Sequence, residues 1–292
     1  MLQWLMIKLP FKMKNKFTID VDNSINSGQV FLWQKSEENW YGIDGQNILK
    51  INQSGKIKSI SNKKTDFFRK NDDIQSIIKS ISKDKTIKKA VKEYEGLRIF
   101  NQDPFQCMIS FIISSNSNIQ KIKNSLEKIS KKFGTKVIIQ NKEFFLFPKP
   151  ENIAKASINE IKVCGVGYRA PFIKEAAKMV TLKKVNFEYL KNSDYNETKR
   201  NLRLIPGVGN KVADCIMLFS LNKLDAFPLD TWMIKILEKY YSNEFQIKTK
   251  TITEKQYEIL HKKIVDYFGP YCGYAQQFLF KMERENYEKK WL

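Results

Sequence analysis

A tight turn between two apolar segments constrains this sequence more than any other feature. Residues 202–220, LRLIPGVGNKVADCIMLFS, place Pro206-Gly207-Val208-Gly209 directly before a stretch with helical apolar spacing. Glycine adopts the positive φ values of such a turn and lets the backbone approach a ligand without a Cβ in the way. We therefore predict that the amides of Gly207, Gly209 and the following helix N-terminus bind one phosphate.

The charge of the chain indicates a polyanionic partner. Its 292 residues include 51 Lys and Arg against 31 Asp and Glu, which gives a net charge of +20 and a pI near 9.6. Such a surface attracts nucleic acid over long range, so a phosphate-binding helix-hairpin-helix that contains Gly207, Val208, Gly209 and Val212 fits DNA binding. The alternatives are a Lys-, Ile- and Asn-rich composition that records AT-rich coding, and a turn that is an ordinary helix cap.

Cysteine and histidine usage argues against several kinds of site. The four cysteines lie about fifty residues apart with no CxxC, so they indicate buried apolar residues instead of a zinc or iron-sulfur site. His261 is the only histidine, which excludes a His-rich metal centre and disfavours a Ser-His-Asp triad. We expect it on the surface of a lysine-rich helix. No stretch reaches the roughly twenty apolar residues of a membrane span.

The spacing of apolar residues divides the chain into two unlike regions. Residues 15–60 alternate in the manner of antiparallel strands, beginning with KFTIDVDNS at 16–24, and Asp44-Gly45 is a hairpin signal. Later segments have a helical period. We therefore predict an α+β fold, in which residues 1–95 form an N-terminal antiparallel β-sheet domain with helices and residues 96–292 form a mainly α-helical DNA-binding region.

One lysine and one aspartate stand where consecutive helices of this region begin. Lys211 follows the glycines directly, and AFPLDTWM places Asp230 at an N-cap position. Excision of a base from DNA requires such a pair, because an amine can attack the sugar C1′ while a carboxylate stabilises positive charge on the sugar or aids proton transfer. Both residues also have simpler roles, Lys211 as one more phosphate cation and Asp230 as a helix cap.

Five stretches of the chain resemble, in order, the motifs of one family. They are SGQVFLW (27–33), NQDPFQCMISFIISSNSNIQKI (101–122), GVGYRA (165–170), PGVGNKVADCI (206–216) and GPYCGYAQQFLF (269–280). In these motifs the chain resembles the helix-hairpin-helix glycosylases of the Gly/Pro-Asp type, and among them the eukaryotic-type 8-oxoguanine DNA glycosylase/lyases. The resemblance implies an enzyme that flips 8-oxoguanine out of duplex DNA, excises it and cleaves the strand by β-elimination.

The resemblance also implies roles for the catalytic residues and for one wall of the base pocket. Lys211 matches the lysine that forms a Schiff base with C1′, and Asp230 matches the aspartate that assists it. Gln276 and Phe280 are four residues apart and hence share a helical face. They match the amide that reads the purine edge and the ring that stacks on it, while Cys215 matches the residue on the other face of the base.

Further residues are assigned to recognition by the same resemblance. Gly28 matches the glycine whose carbonyl distinguishes the lesion, because 8-oxoguanine carries an N7–H donor where guanine has a lone pair. Glu283 matches an acidic residue near this pocket, although a solvated helix charge is an equal alternative. Asn116, Tyr168 and Arg169 match residues that fill the space the base leaves and hold the orphaned cytosine.

Two positions depart from the animal members of the family. Lys121 stands where they carry an arginine that helps read the opposite cytosine, and lysine offers a point charge in place of a planar fork. We therefore expect a relaxed choice of opposite base. Trp232 stands where they carry a histidine that contacts a phosphate, so that contact is not expected.

The resemblance finally implies no cofactor, no iron-sulfur cluster and no other metal, while it leaves open a monovalent cation at the hairpin. Iron-sulfur relatives need a closely spaced four-cysteine loop, whereas Cys272 alone follows Asp230. The expected partner is double-stranded DNA containing oxidised guanine, bound by a monomer inside the cell, in a prokaryotic cytoplasm or a eukaryotic nucleus, with no membrane. A relative that excises another lesion and a non-catalytic DNA-binding module are the competing functions.

Overall fold

An antiparallel sheet near the N-terminus forms the β part of the fold. The computed structural model describes residues 19–53, 55–59, 66–139, 141–247 and 252–288. A short helix, α1 (Val21–Ile25), precedes a sheet in which each strand pairs with the next along the chain. The strands are β1 (Trp33–Ser36), β2 (Asn39–Asp44), β3 (Asn47–Asn52) and β4 (Ile57–Ser59).

A turn and a close approach fix the register of this sheet. Gly45, with a φ of +57°, lies in the turn between β2 and β3, which confirms the hairpin predicted at Asp44-Gly45. Trp33 pairs with Gly42 across β1 and β2, and a Cβ at Gly42 would lie 2.0 Å from the indole ring. No larger residue fits beneath the tryptophan, so this pair holds the two strands in one register.

The strand predicted at residues 16–24 is wrong where the structure describes it. Asp20 caps α1, since its Oδ1 accepts the backbone N–H three residues on at 2.9 Å. Val21 and Ile25, one helical turn apart, are both buried. A local side-chain cap therefore overrides the alternating pattern. Residues 16–18 lie outside the described part of the chain.

Helices make up most of the rest of the fold. Helix α4 begins after Asp103 with Pro104 in its first turn, and α5 ends before Gly134, as the sequence predicts. A π-helical turn (Lys162–Val166) and a 3₁₀ turn (Gly167–Arg169) precede α8. The elements after β4 are α2 (Ile74–Ile81), α3 (Lys85–Glu93), α4 (Pro104–Ser114), α5 (Ile119–Phe133), β5 (Lys136–Ile139), β6 (Lys142–Phe145), α6 (Pro150–Lys155), α7 (Ile158–Ile161), α8 (Ala170–Thr181), α9 (Phe187–Asn192), α10 (Tyr195–Arg203), α11 (Asn210–Ser220), α12 (Thr231–Tyr240), α13 (Ser242–Phe245), α14 (Glu254–Phe268) and α15 (Cys272–Glu288).

One large apolar core joins the sheet to the helices. Phe31, before β1, and Tyr41, in β2, share it with buried residues of α4, α11 and α15. The predicted α+β fold is confirmed, while the boundary between residues 95 and 96 stays a prediction, because elements on both sides contribute to this core. Within the described ranges, no helix combines the length and the apolar character needed to cross a membrane.

Candidate active site

The predicted hairpin lies between α10 and α11. Gly207 has a φ of +84°, and a Cβ there would lie 2.8 Å from Phe172 Cβ, so both the conformation and the space require glycine. Gly209 is exposed and caps α11 without any side-chain hydrogen bond. Val208 and Val212 are buried and hold the turn against the core. The first amides of α11 are therefore open to an anion.

Lys211 extends from the first turn of α11 and is half-buried. Its Nζ donates a hydrogen bond to Ser114 Oγ at 3.1 Å and lies 5.3 Å from the centroid of the Phe111 ring. Ser114 Oγ donates its own proton to Phe111 O at 2.7 Å. The serine therefore offers Lys211 a lone pair, and the lysine is held in place by a hydroxyl and an aromatic face.

A cavity of about 400 Å³ lies in front of Lys211, a size typical of ligand sites. Its walls come from the segment before β1, from α4 and the loop that follows it, and from α11 and α15. The structure thus brings together parts of the chain that are far apart in sequence. The predicted site residues that line it are Gly28, Lys211, Cys215, Asp230, Gln276 and Phe280.

Asp230 caps α12 and faces this cavity. Its Oδ1 accepts the N–H three residues on at 2.8 Å, which confirms the predicted N-cap. The preceding residue, Leu229, donates its N–H to Tyr257 OH at 3.1 Å, and Tyr257 OH donates to Asp214 Oδ2 at 2.5 Å. Because Asp214 belongs to α11, one hydroxyl ties the segment that carries Asp230 to the helix that carries Lys211.

A buried polar cluster surrounds Asp214 behind α11. Asp214 accepts from Tyr195 OH at 2.8 Å and lies 3.3 Å from Lys199 Nζ. Burial lowers the pKa of Lys199, an effect that Asp214 opposes. The predicted surface position of His261 is wrong, since it is 7% exposed, stacks on Tyr195 and places Nε2 2.9 Å from Asp225 O. Burial lowers the pKa of His261.

Gln276 contributes a buried amide oxygen to the cavity wall. The residue is 5% exposed, and its Oε1 forms no hydrogen bond within the described structure. A buried polar atom left unpaired is costly, so such an atom in a cavity wall indicates a ligand that pairs with it. Phe280 follows one turn later on α15 and lines the same cavity. The Gln276 amide and the Phe280 ring therefore lie on the same wall of the cavity, which α15 forms.

Gly28 faces Phe280 at close range. Its φ is +83°, and a Cβ there would lie 3.3 Å from Phe280 Cε1 and 3.6 Å from Arg284 Nη1. Glycine at this position therefore leaves room for the phenylalanine ring. Cys215 lines another part of the cavity, where burial raises the pKa of its thiol to about 12, although Lys211 acts in the opposite direction. The thiol thus stays neutral near pH 7.

The structure does not place Glu283 in the cavity wall. Glu283 accepts hydrogen bonds from Lys239 Nζ at 2.8 Å and from Tyr240 OH at 2.8 Å, so it joins α15 to α12. The next residue, Arg284, lines the cavity instead. Sequence reasoning missed Arg284, although its spacing of four from Phe280 was a signal that the two share a helical face.

Other cavity residues were also missed. Trp232 and Tyr287 meet edge to face with ring centroids 5.1 Å apart. Apart from the departure at Trp232, no residue pattern predicts this pair. The further lining residues are Ser27 and Phe31 before β1, Phe111 and Ser114 in α4, Ser117 and Asn118 in the loop after it, Ile119 and Ile122 in α5, Phe219 in α11, Pro228 before α12 and Gln277 in α15.

Three of the four residues predicted at the opposite base come together beside the cavity. Arg169 donates from Nε to Ser115 O at 3.0 Å and from Nη2 to Asn116 O at 3.2 Å. Its guanidinium carbon lies 4.5 Å from the centroid of the Tyr168 ring, and Tyr168 is 58% exposed. An exposed ring is thus braced by an arginine. Lys121 is exposed in the first turn of α5.

All four cysteines are free and buried, as the sequence predicts. Within the residues that the structure describes, no group of three or more His, Cys, Asp or Glu side chains could hold a metal ion. The site is therefore built from an amine, a carboxylate, an amide, a thiol and aromatic rings.

This fold and site define a class of DNA repair protein. Residues 109–262 match the family model described as HhH-GPD superfamily base excision DNA repair protein, so the chain belongs to that superfamily. Residues 11–108 match the model of the 8-oxoguanine DNA glycosylase N-terminal domain. Within the superfamily, the chain is a member of the 8-oxoguanine DNA glycosylase family.

Known proteins resemble the chain over most of its length. An N-glycosylase/DNA lyase of Arabidopsis thaliana is 29% identical, covering 88% of this chain and 75% of the relative. A probable N-glycosylase/DNA lyase of Methanothermobacter thermautotrophicus is also 29% identical, with 70% and 68% covered. The crystal structure of Clostridium acetobutylicum 8-oxoguanine glycosylase/lyase, bound to double-stranded DNA with cytosine opposite 8-oxoG, has a TM-score of 0.82 at 32% identity and covers 92% of this chain and 93% of its own.

Proposed function

We propose that this protein is a bifunctional 8-oxoguanine DNA glycosylase and abasic-site lyase of base excision repair. The observation that carries the proposal is one cavity lined by an amine, Lys211, a carboxylate, Asp230, and a buried Gln276 amide oxygen that has no partner among the described residues. The first two supply chemistry at a sugar, and the third supplies recognition of a base. Family membership and the DNA-bound Clostridium relative support the same function.

Duplex DNA binds first through its backbone. The uncapped amides of Gly209 and the start of α11 hold one phosphate, and the net charge of +20 attracts the strand. A base can enter such a cavity only after it leaves the stack. Tyr168, exposed and braced by Arg169, fills the vacated space, while Asn116 and Arg169 hold the orphaned base and Lys121 lies near it.

The flipped base is recognised on its edge and on both faces. Gln276 offers a carbonyl and an amide to the Watson-Crick edge of a purine. Phe280 stacks on one face, and the neutral Cys215 thiol packs against the other. The Gly28 carbonyl accepts a hydrogen bond from the N7–H of 8-oxoguanine, whereas guanine would present a lone pair there. This last contact separates the lesion from the normal base.

The two chemical steps use Lys211 and Asp230. The Lys211 amine forms a bond to C1′ as the glycosidic bond breaks, and the bonding pair leaves with the base, which takes up a proton. Asp230 stabilises the positive charge that develops on the sugar. Ring opening then gives a Schiff base, loss of a C2′ proton expels the 3′ phosphate, and water finally releases the lysine.

We further propose that the enzyme acts as a monomer, inside the cell, on double-stranded DNA that contains oxidised guanine. The steps above use side chains of one chain and water, so they call for no cofactor. A monovalent cation at the hairpin stays a prediction.

Borohydride reduction tests this function directly. It should convert the Schiff base into a stable adduct with duplex DNA that contains 8-oxoguanine, and Lys211→Gln should abolish the adduct without loss of lesion binding. Lys174→Gln is the matched control, because Lys174 is half-buried on a backbone carbonyl, 2.7 Å from Ala156 O, away from the cavity. Adducts formed only with other lesions would indicate the relative with another substrate, and the absence of both an adduct and a released base with every lesion would indicate a DNA-binding module.

A further inference from the structure

The peptide that precedes Gly28 is held by the last helix of the fold. Gln277, next to Gln276 on α15, donates from Nε2 to Ser27 O at 2.8 Å. Gln277 is 2% exposed and Ser27 is 1% exposed, so this hydrogen bond is shielded from water. A shielded bond between two buried groups keeps its geometry, because neither group can exchange its partner for solvent.

The peptide that follows Gln29 is held from another direction. Gln102 donates from Nε2 to Gln29 O at 2.8 Å. The Gln29 side chain adds to this restraint, since its Nε2 donates to Ser27 Oγ at 2.9 Å and its Oε1 accepts from Phe100 N at 2.8 Å. Buried amide groups therefore fix the carbonyls of residues 27 and 29.

Between these two fixed carbonyls, the Gly28 carbonyl accepts no hydrogen bond from any residue that the structure describes. Glycine at a φ of +83° has no Cβ to limit its rotation. The Gly28 carbonyl can distinguish 8-oxoguanine from guanine only if its direction is fixed. A mobile carbonyl could turn away from the repulsive N7 lone pair of guanine. The hydrogen bonds to Ser27 O and Gln29 O on either side fix the direction of the Gly28 carbonyl.

We propose that Gln277 is a specificity-determining positioning residue, whose hydrogen bond to Ser27 O fixes the Gly28 carbonyl and thereby sets the preference for 8-oxoguanine over guanine. This inference rests on the proposed function of the cavity. Loss of the Gln277 donor lets the Gly28 carbonyl rotate, so the bond to N7–H weakens and the repulsion of the guanine lone pair is relieved. We expect the ratio of the two affinities to fall about tenfold, the size of one buried hydrogen bond.

The test compares three target bases in Gln277→Met, which keeps the side-chain volume and removes the donor. Duplexes carry 8-oxoguanine, guanine or 7-deazaguanine, which replaces N7 of guanine with a C–H and so removes the lone pair. Each target base lies opposite an abasic analogue. No base pair then has to be broken, so the free energy of flipping does not include a pairing contribution that differs among the three bases. Dissociation constants are measured in a Lys211→Gln background, in which no covalent step occurs.

The matched control is Gln106→Met. Gln106 is also buried at 5% exposed and also serves backbone groups, accepting from Gly45 N and donating to Ile43 O, both at 2.8 Å, but it lies outside the cavity. It should leave all three affinities in their original ratio. In the parent protein we expect 8-oxoguanine to bind most tightly and guanine least.

Three results would overturn the inference. If the parent protein binds guanine and 7-deazaguanine equally, Gly28 does not read N7 and the proposed recognition itself fails. If the parent protein and Gln277→Met prefer 8-oxoguanine over guanine to the same degree, recognition of N7 by Gly28 stands, but Gln277 does not position the Gly28 carbonyl. If Gln277→Met weakens all three affinities by the same factor, the residue has a structural role only.

Discussion

Replacement of Gln276 by methionine should stabilise the free protein and at the same time weaken its hold on the lesion. Gln276 is 5% exposed and its Oε1 has no partner in the described structure, and an unsatisfied buried group of this kind costs about 1–3 kcal/mol. Methionine has a similar length and no branch, so the packing of α15 changes little. We therefore expect the free energy of unfolding to rise by about 1 kcal/mol or more.

Thermal and urea unfolding of the free protein measure the first effect. A gain of 1 kcal/mol raises the melting temperature by roughly 2–4 °C for a domain of this size class. Binding of 8-oxoguanine DNA in a Lys211→Gln background measures the second effect. Loss of an amide that pairs with a base edge costs about 1–3 kcal/mol, so the affinity should fall roughly 10- to 100-fold.

Gln106→Met should change the melting temperature in the opposite direction. Both ends of the Gln106 amide are paired, with Gly45 N and Ile43 O, so methionine there leaves two buried groups unsatisfied and should lower the melting temperature. A melting temperature that falls in Gln276→Met as well would show that Oε1 is not the source of instability that we infer. An unchanged affinity for the lesion would show that Gln276 does not read the base.

Three further predictions concern catalysis, specificity and pH. Asp230→Asn should keep the cap of α12, because asparagine caps equally well, and should slow single-turnover excision about 100-fold with little change in melting temperature; an unchanged rate would remove Asp230 from the mechanism. Wild-type protein should excise 8-oxoguanine opposite all four bases at similar rates, whereas Lys121→Arg should favour cytosine; a strong preference for cytosine in the wild type would contradict this. The pKa of Cys215 rises from 9.0 in the unfolded reference to about 12 in the fold, so stability is intact below pH 9 and falls as the pH rises toward 12. Urea unfolding at pH 8 and pH 10 should show this loss, on the order of 1 kcal/mol, and Cys215→Ala should reduce it.

Local signals in the sequence predicted the parts of the fold that are locally determined. The helix starts at Asp103 and Asp230 and the turn at Gly207 depend on residues within one turn of each other, and the structure has all of them. The strand expected at 16–24 is a helix in its described part, because the cap at Asp20 is a stronger local signal than alternation. The surface position predicted for His261 is wrong because its partners, Asp225 and Tyr195, come from distant segments, which local signals do not reveal.

The cavity is where residue patterns alone carry least information. Phe280 and Cys215 have the helical spacing of core residues, and Cys215 is as buried as core residues are. Their place in a ligand site follows from the resemblance to known glycosylases and from the cavity that the fold encloses. That Gln276 Oε1 lacks a partner in the described part of the chain cannot be predicted from sequence either, because the pairing of a buried amide depends on every segment packed around it.

The hydrogen bond from Gln277 to Ser27 spans 250 residues of sequence. During synthesis, the hairpin and Lys211 leave the ribosome well before α15, so a nascent chain carries the lysine that we propose as nucleophile before the wall formed by Gln276 and Phe280 exists. A contact of such long range also forms late in folding, after the local helices. If the proposed roles hold, the enzyme therefore acquires its reactive group before the residues that select the base, and its selectivity is complete only when α15 has docked.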